Sequence, residues 1–241
     1  MSRLWFTALI GWLLSGPAAA ATGSPDAPGA GCPAGVETRI IPLPVYATLP
    51  NEGNTFGVMP VFLRVCDANR RTESIIAPGV TWNDVIHATA TFRWFHYPTD
   101  DQTLTFVASV STRINSNVLL LWRDLPRSRG ASTTEIELRW QRSAFYRFFG
   151  LGPDTPAEAE SSYTRVRGHA AARRGLNLGG NWNVGVTVFF DRDLVQDLGV
   201  PGLPLSRRAF PAVPGMGGST RLAQTIDARF DTRERGENSE R

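Results

Sequence analysis

The sequence is dominated by segments in which apolar and polar residues alternate one by one. A period of two is typical of a β-strand whose two faces have different surroundings. The clearest alternation covers residues 86–94, 103–114, 135–141, 176–190 and 221–231. Weaker candidates cover residues 57–67, 74–82, 117–123 and 162–173. The chain therefore predicts about nine strands and almost no helix.

Composition narrows the class of protein further. The chain has 241 residues, 25 basic and 22 acidic, with a formal net charge of +3. Two cysteines are too few for a disulfide-dense scaffold or a four-cysteine zinc site. A polytopic helical membrane protein would need several apolar runs of about 20 residues, and the sequence has none. The arginines are spread along the chain rather than gathered in a patch, so we expect no nucleic-acid partner.

The first residues are typical of an export signal. Arg3 precedes an apolar run over residues 4–14, and an alanine-rich stretch follows at residues 18–21. This order predicts a signal peptide over residues 1–21 and export from a bacterial-type cytoplasm. Residues 22–41, rich in Gly, Ala and Pro, predict a disordered leader. We assign residues 42–233 to a β-domain and residues 234–241 to a polar tail.

Three features favour a membrane barrel over a soluble sandwich, which also alternates. Several segments are longer than the about 5 to 6 residues of an ordinary strand and suit the about 9 to 11 needed to cross a bilayer. Charged residues stand in mid-strand, as a polar lumen would allow. Aromatic residues lie near the strand ends, as at a membrane interface: Trp82, Trp94, Trp122, Trp140, Phe190 and Phe230. The predicted fold is an all-β antiparallel transmembrane β-barrel in the outer membrane, with about nine strands and incomplete.

The connections follow an outer-membrane pattern only in part. Short turns alternate with longer loops until residues 143–161, which are long where a short turn is expected. A further strand within residues 144–150 would restore the alternation. Residues 194–218 are rich in Gly and Pro and predict a surface loop.

Three segments resemble the bacterial surface antigen family, the outer-membrane barrels related to BamA and TamA. Residues 42–63, P-L-P-V-Y-A-T-L-P-N-E-G-N-T-F-G-V-M-P-V-F-L, resemble the opening strand of that family. Residues 148–155, F-F-G-L-G-P-D-T, and residues 230–234, F-D-T-R-E, resemble two later motifs in the same order. The resemblance implies a role in inserting or translocating outer-membrane proteins or lipids. Its implied partners are the outer-membrane bilayer and unfolded outer-membrane protein clients, with no cofactor.

The chain also departs from that family. We expect no periplasmic repeat domains before the barrel region and fewer strands than the family barrel has. Residues 166–169, V-R-G-H, mimic the inward-folded loop motif but stand on an alternating strand, so we interpret Arg167 as facing the lumen beside an outward Gly168. An incomplete barrel leaves two unpaired edges in lipid. We expect a fragment, with a smaller closed barrel or an oligomer as alternatives.

The candidate chemical groups favour no enzyme. His87, His96 and His169 lack the spacing of a zinc site. His87 beside Thr89 is the one candidate for a barrel-wall lipid hydrolase, but no third partner is identifiable, and we expect His87 to face the lumen. Glu135 and Glu137 share a face as paired carboxylates would in a glycosidase, but Arg139 follows on that face and predicts an ion-pair cluster. We predict no catalytic, cofactor-binding or metal site.

Two questions stay open at the level of sequence. Cys32 and Cys66 would be oxidised outside the cytoplasm if they could meet, but their pairing depends on the path of the leader. A passive outer-membrane pore and a soluble periplasmic ligand carrier are the alternatives to a surface antigen protein. A pore would conduct ions without a client, and a carrier would stay soluble without detergent.

Overall fold

The computed structural model describes residues 35–49, 53–67, 70–126 and 130–230. The chain divides into residues 1–30 and residues 31–241, and every described residue belongs to the second unit. The expected signal peptide (1–21), the leader up to residue 34 and the tail (234–241) lie outside the described residues. Cys66 is disulfide-bonded, while Cys32, the other cysteine of the chain, lies outside the described residues.

The described residues form one antiparallel sheet in which each strand pairs with the next along the chain. Its ten strands are β1 (Val36–Leu49), β2 (Gly53–Cys66), β3 (Thr72–Asn83), β4 (His87–His96), β5 (Gln102–Ser111), β6 (Ser116–Asp124), β7 (Ser132–Phe148), β8 (Ser161–Gly179), β9 (Trp182–Gln196) and β10 (Ser219–Phe230). The short helix α1 (Ser206–Ala209) lies in the loop before β10. No helix within the described ranges is long and apolar enough to span a bilayer. The predicted all-β antiparallel fold is confirmed, with ten strands instead of about nine.

The sheet has two free edges. Across the described residues, β1 pairs only with β2, and β10 pairs only with β9. The sheet is therefore not closed into a barrel, as expected for an incomplete one. Because ten is an even number, the two edge strands run in opposite directions, as antiparallel closure would require.

The sequence missed β1 because prolines interrupt it. β1 begins at Val36, whereas the disordered leader was expected to extend to residue 41. Pro42 and Pro44 stand in the middle of this strand. Proline cannot donate a backbone hydrogen bond, so a segment that contains proline is not predicted to be a strand unless it lies at the edge of a sheet. β1 is such an edge.

Two further boundaries differ from the sequence prediction. No separate strand lies within residues 144–150, because β7 continues to Phe148 through a register shift between Ser143 and Tyr146. Because the shift interrupts the alternation of apolar and polar residues, the sequence does not predict that β7 continues beyond Ser143. The predicted strand over residues 176–190 is two strands, joined at Gly180 and Asn181, which have φ of 57° and 68°. Apolar residues fall at even positions on both sides of this tight turn. The alternation therefore continues without a break, and the sequence pattern predicts one strand instead of two.

Residue parity defines the two faces of the sheet. Even-numbered residues pair with even-numbered residues along the main register of all nine ladders, as in Tyr46 with Phe56 and Phe56 with Trp82. We call the two surfaces the even face and the odd face. The even face exposes large apolar side chains along the whole sheet: Ile40, Tyr46, Phe56, Val58, Val80, Trp82, Phe92, Val110, Val118, Leu120, Ile136, Leu138, Trp140, Leu176, Trp182, Val184, Phe190, Leu222, Ile226 and Phe230.

Little of this apolar surface is covered by the chain itself. The buried apolar residues are Val65, Cys66, Ala77, Ala144 and Val200. Buried polar residues are at least as numerous and include Asn83, Arg173 and Asp191. The usual arrangement of an apolar core beneath a polar surface is thus reversed in this sheet.

Candidate functional site

A network of charged side chains covers the odd face of the last four strands. We call it the charged network, and its members are Glu135, Arg167, His169, Arg173, Asp191, Arg221, Asp227 and Arg229. All have odd numbers and come from β7, β8, β9 and β10. The alternation of each strand places them on one face, and the antiparallel register brings them together.

Asp191 is the first centre of this network. Its side chain is 3% exposed, and its Oδ1 accepts a hydrogen bond of 2.9 Å from Arg167 Nη2. His169 Nδ1 lies 2.7 Å from the same oxygen. Arg221 Nη2 donates to Oδ2 at 2.6 Å from the opposite side. Since His169 and Arg221 each stand directly opposite Asp191, this carboxylate joins β8, β9 and β10.

Arg173 is the second centre and is 4% exposed. It binds Asp227 with two nearly parallel hydrogen bonds, Nε to Oδ1 at 3.0 Å and Nη2 to Oδ2 at 2.7 Å. Nη2 also donates to Asn183 Oδ1 at 2.6 Å. Bidentate arginine–carboxylate pairs are the strongest charged hydrogen bonds in proteins. This pair reaches from β8 to β10 across β9.

Two glycines make room for the Arg173 guanidinium. Gly175 on β8 pairs with Gly185 on β9, and both belong to the odd face. A methyl group at Gly185 would lie 2.5 Å from Arg173 Nη2, and one at Gly175 would lie 2.8 Å from Nη1. The Arg173 side chain therefore lies against the backbone of Gly175 and Gly185, where a residue with a Cβ atom would collide with it.

Glu135, the member of the network on β7, also connects it to Arg123 of β6. Its carboxylate accepts a 2.5 Å bond from Arg229 Nη1 and lies 3.4 Å from Arg123 Nε. Glu137 pairs with Arg139 at 2.9 Å. Glu137 and Arg139 form an ion pair as predicted, whereas Glu135 pairs with Arg123, Arg173 and Arg229 instead of Arg139. Each of these carboxylates therefore has an arginine partner; the contacts of Glu135 join β7 to β6, β8 and β10, whereas Glu137 and Arg139 lie on the same strand.

The other histidines and the V-R-G-H motif have structural surroundings. Residues 166–169 lie within β8, where Arg167 and His169 contact Asp191 and Gly168 faces the other way, as interpreted from the sequence. His87 begins β4 with φ of 61°, and its ring lies 5.1 Å from that of Trp82, an even-face residue. The expectation that His87 faces the polar side is therefore wrong, since the positive φ redirects its side chain. His96 stacks on Trp94.

Sequence reasoning missed Asp191, Asp227 and Gly185 as parts of one site. Asp191 and Asp193 continue the odd-face alternation of β9 beyond Phe190, where the predicted strand ended. The signal was present in that continuation. The partners could not be assigned, because they depend on the register between strands whose residues are far apart in sequence: His169 and Asp191 are 22 positions apart, and Glu135 and Arg229 are 94 apart.

The loop after β9 folds back and pairs with the tip of β8. Ser162 N–H donates to the Pro204 carbonyl at 2.9 Å, and Ser161 Oγ lies 2.8 Å from Ser206 Oγ. Phe148 and Phe210 make an edge-to-face contact at 5.0 Å. Ser162 and Thr164 are fully buried beneath this loop. The exposed apolar part of β8 therefore ends below its tip.

Aromatic residues of the even face form two rows near opposite ends of the strands. Tyr46, Phe56 and Trp82 stand opposite one another across β1, β2 and β3 at one end. Trp182 and Phe230 are in ring contact at 5.0 Å at the other end. On β3, Trp82 and the partner position of Trp94 are separated by six residues, about 20 Å of strand.

Within the described ranges, no group of three or more His, Cys, Asp and Glu side chains could hold a metal ion. No family model, no curated protein and no solved structure matches this chain.

Proposed function

We propose that this chain is an exported outer-membrane β-barrel protein, or a ten-stranded part of one. The even face contacts lipid, and the odd face lines a polar lumen. The observation that carries the proposal is the exposed apolar surface that runs without a change of parity from β1 to β10. Soluble monomers seldom expose apolar patches larger than a few hundred Å².

The charged network supports the same orientation. Buried charges need partners, and each carboxylate of the network has at least one arginine. Charged side chains are tolerated in the water-filled lumen of a barrel, whereas they are destabilising on its lipid-facing surface. The two aromatic rows support a membrane belt, since aromatic residues concentrate at both interfaces and the apolar band of such barrels is about 25 Å tall.

The proposed activity is the insertion or translocation of outer-membrane proteins or lipids. Its support is the resemblance of residues 42–63, 148–155 and 230–234 to the bacterial surface antigen family. The two free edges also suit this role, because an unpaired strand offers backbone donors and acceptors to another strand. An unfolded outer-membrane protein has such strands to add.

Fractionation and reconstitution test the proposal. We expect the full chain to require detergent for extraction from the outer-membrane fraction. Liposomes that contain it should accelerate folding of an unfolded outer-membrane protein, compared with empty liposomes of the same lipid. A folded chain that stays soluble without detergent would exclude the membrane assignment and favour a ligand carrier. Membrane integration without acceleration would exclude the insertion activity alone.

A passive pore is the second candidate, and the charged odd face favours it. A lumen that contains Glu135, Glu137 and Arg139 would influence which ions pass. The pore should conduct in planar bilayers with no client present. Arg139→Glu should then shift the reversal potential towards cation selectivity, and an unchanged potential would exclude this residue from the conducting path.

A further inference from the structure

Three prolines stand in one row across the first three strands. Pro42 of β1 is opposite Pro60 of β2. Val58 pairs with Val80 and Phe62 pairs with Ile76, so Pro60 is opposite Pro78 of β3. The ladder between β2 and β3 is interrupted at residues 59–61, whereas the β1–β2 and β3–β4 ladders continue past their prolines.

The position of the interruption gives the direction of each proline nitrogen. In an antiparallel pair, opposite residues either exchange two N–H···O bonds or turn both groups away. If Pro60 and Pro78 turned away from each other, the pairs Met59–Gly79 and Val61–Ala77 would carry the hydrogen bonds, and no interruption would appear. The two prolines therefore point their nitrogens at each other, and both bonds of this pair are missing. Pro42 correspondingly points its nitrogen at the free edge.

Both ends of the β2–β3 pair are held firmly. Asn83 Nδ2 donates to Thr55 Oγ1 at 2.9 Å and to the Asn54 carbonyl at 3.1 Å. Arg64 Nη2 lies 3.3 Å from Glu73 Oε2 at the other end. The missing hydrogen bonds thus create a gap in the middle of an otherwise anchored pair.

The residues that flank the gap on β2 and β3 are mainly apolar on both faces, and one arginine, Arg93 of β4, lies beside it on the odd face. Val58 and Val80 flank it on the even face, where both are exposed. Met59 and Val61 stand beside it on the odd face. The charged network, by contrast, lies on β7–β10, at the far side of the sheet. Among the described residues, the ion pair that joins β2 and β3, Arg64 with Glu73, lies away from the gap. Arg93 of β4 reaches across β3 to Met59 Sδ at 3.2 Å, and this contact must break when β2 and β3 separate.

We propose that the sheet opens between β2 and β3 at the Pro60–Pro78 pair, forming a slot that connects the odd face with the even face. The ends of the two strands stay paired while the middle separates. In a membrane, this slot would connect the lumen with lipid through a mainly apolar lining, with the Arg93 guanidinium at its lumen side. The opening follows from the backbone and does not depend on the proposed membrane function.

Hydrogen exchange of the folded full chain tests the slot. In the unmodified chain, the amides of Val58, Phe62, Ile76 and Val80, which flank the gap, should exchange at least tenfold faster than those of Leu119 and Leu121 in the β6 ladders. The double variant Pro60→Val/Pro78→Val restores both donors, and we expect the four flanking amides to exchange about tenfold more slowly. Pro42→Val is the matched control, because it adds a donor only at the free edge and should leave them unchanged.

Two results would overturn the slot. One is equal exchange at the β2–β3 pair and in β6 of the unmodified chain, a comparison that needs no variant to fold. The other is a folded double variant whose flanking amides exchange as fast as before. Either result could be obtained in detergent or in buffer, so failure of the slot is distinguishable from failure of the membrane assignment.

Discussion

Arg173 Nη2 lies 2.7 Å from Asp227 Oδ2, so that a side chain of β8 holds β10 across the strand between them. The sheet therefore has two kinds of connection on its odd face near the second edge. Backbone ladders join neighbours, and charged side chains join strands that are not neighbours. At the first edge, the ion pairs of Glu37 with Arg39 and Arg70 join β1 only to the turn after β2 within the described ranges, and Ile40 and Ile41 are exposed on opposite faces.

Removing the Arg173 side chain should destabilise β10. Arg173→Ala removes the bidentate bonds to Asp227 and the contact with Glu135, while both carboxylates keep Arg229 as a partner. Because hydrogen bonds to charged groups are lost, we expect a cost of about 2 kcal/mol. Thermal unfolding in detergent should show a lower midpoint. Arg207→Ala is the control, because Arg207 is exposed and lies 3.8 Å from its partner Asp197. Equal midpoints for the two variants would contradict the role given to Arg173.

Gly185→Ala should also disturb Arg173, although it adds only one methyl group. The new carbon would lie 2.5 Å from Arg173 Nη2 and would displace the guanidinium. Overpacking of this kind costs about 1 to 3 kcal/mol. Gly168→Ala is the matched control, since a methyl group there meets nothing within 4 Å. The same thermal measurement should separate the two, and an unaffected Gly185→Ala protein would contradict the close packing.

Asp191→Asn should change the charge of the odd face with little change in shape. Arg167 and Arg221 would keep an oxygen to bind but would lose their common negative charge. If the odd face lines a conducting lumen, ion selectivity in planar bilayers should shift towards anions. Glu37→Gln is the control, because Glu37 lies in β1, far along the sheet from the charged network. A shift of equal size in both variants would exclude a specific effect of Asp191.

Much of the fold was predictable because one face of each strand is apolar. The alternation at Ile136, Leu138 and Trp140 alone identifies β7 and its outward face. The other strand boundaries were not predicted, because prolines and irregular strand pairing interrupt the alternation. Pro42 and Pro44 interrupt the strand pattern in β1, and the register shift after Ser143 interrupts it at the end of β7.

The site was predictable only where its members are close in sequence. Glu137 and Arg139 lie on one strand, and their ion pairing follows from the period of two. The pairing of His169 with Asp191 requires the exact register between β8 and β9. Register depends on turn position and hydrophobic pattern together, and the turn at Gly180 was not recognised in the sequence.

The most direct test of the membrane assignment compares two neighbouring leucines of β6. Leu120 belongs to the exposed even face, and Leu121 belongs to the odd face, opposite Glu137. Arginine on the lipid side of a barrel costs about 2 to 4 kcal/mol at the bilayer midplane, whereas a lumen position tolerates it. The measurement is the fraction of each variant that integrates into outer-membrane lipid. We expect Leu120→Arg to integrate poorly and Leu121→Arg to integrate like the unmodified chain, and equal integration of the two variants would contradict the account.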